Sequence, residues 1–277
     1  MSRAEDERCV PCDDGRRLLI AAFVARLGWG LATRRLAADA DLASLAPWAG
    51  LAASAAAPAL AYRLAINLRL PRAAALAAGF LLAVHPALVD AGTRGGAEAF
   101  APLLTAACLV AWVYAWQSGK FRAAVLAGLC GGAALAGTAA GAMALVAAWR
   151  RREQPRWAAL LAVALVFGAL AAAPRALFVR AVPAEALTKW SAPLAVSPSF
   201  GPGARLVKEL FAVVLFAAGL FGLRAVARGP GGWFALAWLV SIGLSRLWLG
   251  AGPGMTDDPA LAVLAGAGLC ALGLAPE

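Results

Sequence analysis

The stretch Leu82-Ala-Val-His-Pro-Ala-Leu-Val-Asp-Ala-Gly-Thr-Arg-Gly-Gly-Ala-Glu-Ala-Phe100 interrupts the apolar pattern of the chain. One His, one Asp, one Arg and one Glu fall within fourteen residues, as His85, Asp90, Arg94 and Glu98. His85 is the only histidine of the protein. Pro86 and the glycines Gly92, Gly95 and Gly96 prevent a simple continuous helix. Long apolar runs flank the stretch on both sides, as expected of segments that cross a bilayer. Ionisable groups crowded where two such helices meet water are the first place to look for function in a membrane protein.

The composition extends this reading to the whole chain. Of 277 residues, 62% are hydrophobic and only 14% charged, and mean hydropathy is +0.76. Soluble domains carry roughly 45–50% apolar and about 25% charged residues. The expected fold class is therefore all-α: a polytopic transmembrane helical bundle of about 9–10 spans. Residues 1–17 are expected to form a cytosolic polar tail. Residues 18–277 are expected to form one integral membrane domain. Four arginines and five acids in residues 1–17, and Arg26 within the run that follows, make a poor signal peptide. The first span is expected to be retained.

Outward from the central stretch, the third span starts after Pro71 and ends at His85-Pro86. The fourth closes at Tyr114 and Trp116, interfacial aromatics followed by the turn Gln-Ser-Gly-Lys120. The first span, about 18–34, carries Arg26 near its middle, at a cost on the order of 2.5–3.5 kcal/mol, so this side chain must face the bundle or snorkel. Residues 121–149 suit two short helices better than one. That choice keeps Arg150-Arg-Arg152 and Arg156 on the side of residues 1–17, the 62–72 turn, the 117–122 turn, Arg224 and Arg228. Fifteen of the 25 Lys and Arg then lie on the cytosolic side and nine on the outer side. The longest connection, about 174–207, is an outer loop rich in Pro and Ser. Asp257-Asp258-Pro259 reads as a helix start.

The net charge of +10 follows from these short basic connections, so anionic lipid head groups are better partners for it than nucleic acid. Cys9 and Cys12 form a CxxC without the further ligands of a zinc site or a thioredoxin-like context. HExxH, GxSxG, Walker and haem-binding motifs are absent from the sequence. The acids Asp39, Asp41, Asp90, Glu98, Glu185, Asp257 and Asp258 fall on the outer side. Asp39 and Asp41, in a DxD spacing, suit a general base or ligands of a hard divalent metal ion, although acids also accumulate in outer loops for want of positive bias. No dedicated metal site is assigned. Arg94 and Glu98 sit four apart, so on a helix they would share a face, and they suit either a structural ion pair or recognition of a lipid phosphate. His85 suits an interfacial polar residue or a base.

The chain resembles the GT-C membrane glycosyltransferases, the clan of protein mannosyltransferases and aminoarabinose transferases. The resemblance covers about residues 44–150. It rests on Arg69-Leu-Pro-Arg-Ala-Ala-Ala-Leu-Ala-Ala-Gly-Phe-Leu-Leu-Ala-Val-His-Pro86, on Arg94-Gly-Gly-Ala-Glu98, and on Ala127-Gly-Leu-Cys-Gly-Gly-Ala-Ala-Leu-Ala-Gly-Thr138. It implies transfer of a sugar from a polyprenyl-phosphate donor to an acceptor at the outer face of a bacterial inner membrane. It implies Asp39 or Asp41 as catalytic base. His85, Asp90, Arg94, Glu98, Arg175, Arg180 and Lys189 would bind substrate, the basic members holding the carrier phosphate. The first outer loop is shorter than in the clan, and Gly137-Thr138-Ala139 stand where a basic residue is expected. The alternative is a non-catalytic polytopic protein, a transporter or assembly factor, with a degenerate fold of the same type.

Overall fold

A computed structural model describes residues 3–32, 45–94, 99–133, 159–170, 202–228, 232, 235 and 258–273. The described residues are helical, with no strand among them. Their helices are α1 (Arg3–Ala32), α2 (Leu45–Asn67), α3 (Arg72–Ala83), α4 (Pro86–Arg94), α5 (Ala101–Ser118) and α6 (Phe121–Ala133). Then follow α7 (Ala159–Leu170), α8 (Pro202–Arg228) and α9 (Asp258–Ala271). Among the described residues two segments are long and apolar enough to cross a membrane, Trp48–Asn67 of α2 and Ala101–Ser118 of α5.

Helix α2 is the centre of the bundle, touching α1, α3, α4, α5 and α9. Its buried positions are mostly small, among them Ala55, Ala57, Ala61 and Ala65. Small side chains let helix backbones approach closely, which is how helices associate where lipid removes the hydrophobic drive. Pro58 lies inside α2 and denies the Ser54 carbonyl its usual donor. The other helix pairs use glycine in the same way. A Cβ at Gly222 of α8 would overlap the Leu264 carbonyl of α9, and one at Gly268 would overlap the Ala218 carbonyl of α8. Gly266 presses α9 on Ala74 and Ala78 of α3, and Gly128 presses α6 on Ala164 of α7.

Local chemistry sets the helix ends. α3 begins directly after Pro71. α5 stops where Gly119 adopts φ 67° and its N–H donates to the Ala115 carbonyl at 2.8 Å. Asp258–Pro259 opens α9, as expected. Two boundaries differ from expectation. Residues 3–17, expected to be a polar tail, continue as helix into the first apolar run. α8 starts at Pro202, inside the expected 174–207 loop, because Pro at the first helical position costs no hydrogen bond. Trp116, expected at an interface, is buried in the core, whereas Tyr114 is exposed and its hydroxyl lies 3.1 Å from Lys120 Nζ.

The outer face of α8 is apolar. Leu210, Val213, Val214, Leu220 and Phe221 are all exposed, at spacings of three, four and seven that place them on one side. An apolar face this wide, left exposed among the described residues, suits an apolar surrounding better than water.

Candidate functional site

The break at His85–Pro86 decides the geometry of the site. In an uninterrupted helix the carbonyl of Leu82 would accept from the N–H of residue 86, which is proline here and has none. α3 ends at Ala83, and the His85 carbonyl starts α4 by accepting from Leu88 and Val89 at 3.1 and 3.0 Å. The last carbonyls of α3 need other donors.

Arg26 supplies them. Its side chain is 0% exposed, the largest fully buried side chain among the described residues. Nη1 donates to the carbonyls of Ala22 and Ala83, each at 3.1 Å, and Nη2 reaches the Leu82 carbonyl at 3.5 Å. A cation at a helix C-terminus also meets the negative end of the helix dipole. The charge of Arg26, within the apolar run of α1, thus faces the bundle.

α4 closes over this point. A Cβ at Gly92 would overlap Ser54 Oγ of α2 and stand 3.6 Å from Arg26 Cδ. Glycine is therefore needed at position 92 for close approach. Ser54 is buried and donates to the Leu51 carbonyl at 3.0 Å. Asp90 is 1% exposed, and Thr93 Oγ1 donates to its main-chain carbonyl at 2.9 Å. His85 stands edge-on to Phe211 of α8, with ring centroids 5.2 Å apart and planes at 90°.

The break therefore gathers His85, Asp90 and the backbone of Arg94 on or beside one nine-residue helix, with Arg26 beneath it. The Arg94 side chain lies outside the described residues. So do Asp39, Asp41, Glu98, Arg175, Arg180 and Lys189, the Cys9 and Cys12 side chains, and the second of the two short helices expected within 121–149. Among the described residues no group of three His, Cys, Asp or Glu stands close enough to hold a metal ion.

The opposite end of α3 has a second polar cluster. Arg72 grips Asp14 of α1 with two parallel bonds, Nε to Oδ2 at 2.7 Å and Nη2 to Oδ1 at 2.9 Å. Tyr62 of α2 donates to Asp14 Oδ2 at 3.2 Å. The Arg72 guanidinium holds the Asp14 carboxyl below its ordinary range, against the opposing effect of burial, with Tyr62 and Arg17 helping. Asp14 and the 62–72 turn thus meet at one end of the bundle, opposite Arg26. A cavity of about 270 Å³ opens at the turn after α2, beside Arg69.

No protein-family model matches this chain, and no curated protein matches it either.

Proposed function

We propose that this chain is a polytopic membrane protein of the GT-C type that moves a sugar from a polyprenyl-phosphate donor to an acceptor at the outer face of a bacterial inner membrane. The N-terminus is cytosolic in this reading. Asp39 or Asp41 is the base, and Arg94 with Arg175, Arg180 or Lys189 holds the carrier phosphate. His85 and Glu98 line the approach, and Asp90 is buried within α4. The observation that carries the reading is the polar break after α3, where Arg26, His85 and Asp90 collect at the end opposite the basic turns. A lipid-facing α8 and the two span-length helices are consistent with membrane residence.

The test is transfer of labelled sugar from a lipid-linked donor by protein in liposomes. Asp39→Asn and Asp41→Asn, singly and together, should reduce turnover by about 10²–10⁴, the range of a lost general base. Full activity in the double variant would remove both residues from the chemistry.

One observation favours the non-catalytic alternative. The bonded donors of Arg26 go to main-chain carbonyls, and Asp90 is closed off from solvent. This core of the site is built as scaffold. A transporter would accumulate its substrate in vesicles without added lipid donor, and an assembly factor would co-purify with a partner and show no turnover.

A further inference from the structure

We propose that the cavity at the α2–α3 turn is a binding site for one anionic phospholipid, on the bundle end opposite the proposed sugar-transfer site. Its walls are apolar and come from three places in the fold: Leu68 and Leu70 of the turn, Val226 of α8, and Ala267 of α9. The volume of about 270 Å³ takes part of an acyl chain but is small for a soluble cofactor.

The rim is cationic. Arg69 lines the cavity, is exposed, and holds φ 60°, the one positive φ outside glycine among the described residues. An L-residue takes that conformation at a cost, and here it closes the tight turn that carries the Arg69 side chain. The turn's own N–H groups are used: Leu68 donates to Leu64, Arg69 to Ile66 and Leu70 to Ala65. An anion at this point therefore meets side chains rather than a cradle of backbone amides. Ala225 also lines the cavity, and Arg228 lies three residues further along α8, on the same face. Among the described residues the ion pair at this end is Arg72 with Asp14, and neither Arg69 nor Arg228 is paired with a carboxylate there. An apolar slot lined by Arg69, with Arg228 one turn beyond its Ala225 wall and at the end of a lipid-facing bundle, matches a lipid with an acyl chain and a charged phosphate. The inference rests on membrane residence and not on sugar transfer.

The full-length protein, purified in mild detergent, is examined by native mass spectrometry with added phosphatidylglycerol, with phosphatidylcholine of the same chains, and with inorganic phosphate. The expected result is one retained phosphatidylglycerol, preferred over phosphatidylcholine. Arg69→Gln with Arg228→Gln should weaken retention about 25-fold, about fivefold for each arginine. Ala271→Trp, at an exposed edge of the cavity, should weaken both lipids by obstructing the slot. Arg122→Gln, a basic residue outside the cavity lining, should change nothing. Equal retention of the two lipids, an effect of Arg122→Gln as large as that of the pair, or competition by inorganic phosphate alone would overturn the site. Cys270 lines the cavity and serves as a reporter without any substitution. Phosphatidylglycerol should slow its modification by a maleimide, read by peptide mass mapping, and an unchanged rate contradicts the proposal. Carbonate extraction of the native membrane fraction separates the two levels. Release of the protein removes membrane residence itself, whereas retention without lipid preference removes only this site.

Discussion

Arg72 and Arg26 stand at the two ends of α3 and are held in opposite ways. Arg72 is at the first residue of the helix, where the dipole disfavours a cation, and its side chain is 57% exposed. It is held by the carboxylate of Asp14. Arg26 meets the last turn of the same helix, where the dipole favours a cation, and it is fully buried on carbonyl oxygens. Both Asp14 and Arg26 come from α1. They lie twelve residues apart, about 18 Å along a helix, and Arg72 and Ala83 lie eleven apart, about 16 Å. α1 therefore clamps α3 at both ends in one register. Leu18 fills the interval by packing where Gly79 leaves room. The water-facing end of the clamp uses a charge pair that solvent can replace. The buried end uses main-chain carbonyls shut away from solvent.

Unequal costs should follow. Arg26→Ala leaves two freed carbonyls and a cavity, and should cost about 3–5 kcal/mol or abolish folding, as seen when one partner of a buried charged network is removed. The check is unfolding in detergent micelles. Arg26→Lys keeps the charge but loses the two-pronged reach, and should recover only part of the loss.

Gly92→Ala sharpens the same end. The new methyl meets Ser54 Oγ and should cost about 1–3 kcal/mol by overpacking. Adding Ser54→Gly should return most of it, and failure to do so would mean that α4 is positioned by something else.

Asp14→Asn should have the smallest effect, a fall of a few degrees in Tm at neutral pH. Its pH dependence has a definite sign. Arg72 depresses the Asp14 pKa in the folded state below the ordinary value of 3.8. Its stabilisation is therefore complete above that value and is lost as pH falls through the depressed one. Melting temperatures measured from pH 7 downward should show this acid decline in the parent protein and less of it in Asp14→Asn. Equal declines would remove Asp14 from the clamp.

The parts legible in the sequence are those fixed by neighbouring residues. Pro71 before α3, Gly119 after α5 and Asp258–Pro259 at α9 act through their own φ angles and caps, so reading along the chain finds them. The helical state of residues 3–17 was hidden because its charges mask any apolar face, and only the neighbouring 62–72 turn gives Asp14 its partner. Pro202 reads as loop among Gly201 and Gly203, yet serves as a first helical residue. Arg26 announces itself as a misplaced charge. Its target does not, because the freed carbonyls belong to residues 56 and 57 positions away. The missing donor at Pro86 was visible in the sequence, but only the fold brings Arg26 to it.

The most direct test of the clamp is a double-mutant cycle on Arg26 and Pro86. Pro86→Ala restores an N–H that can serve the Leu82 carbonyl, so Arg26→Met should cost less in that background. The expected coupling is about 1–2 kcal/mol in unfolding free energy, within the range for residues that share one network. Additive effects, agreeing within about 0.5 kcal/mol, would contradict the assignment of Arg26 as the substitute for the donor that proline removes.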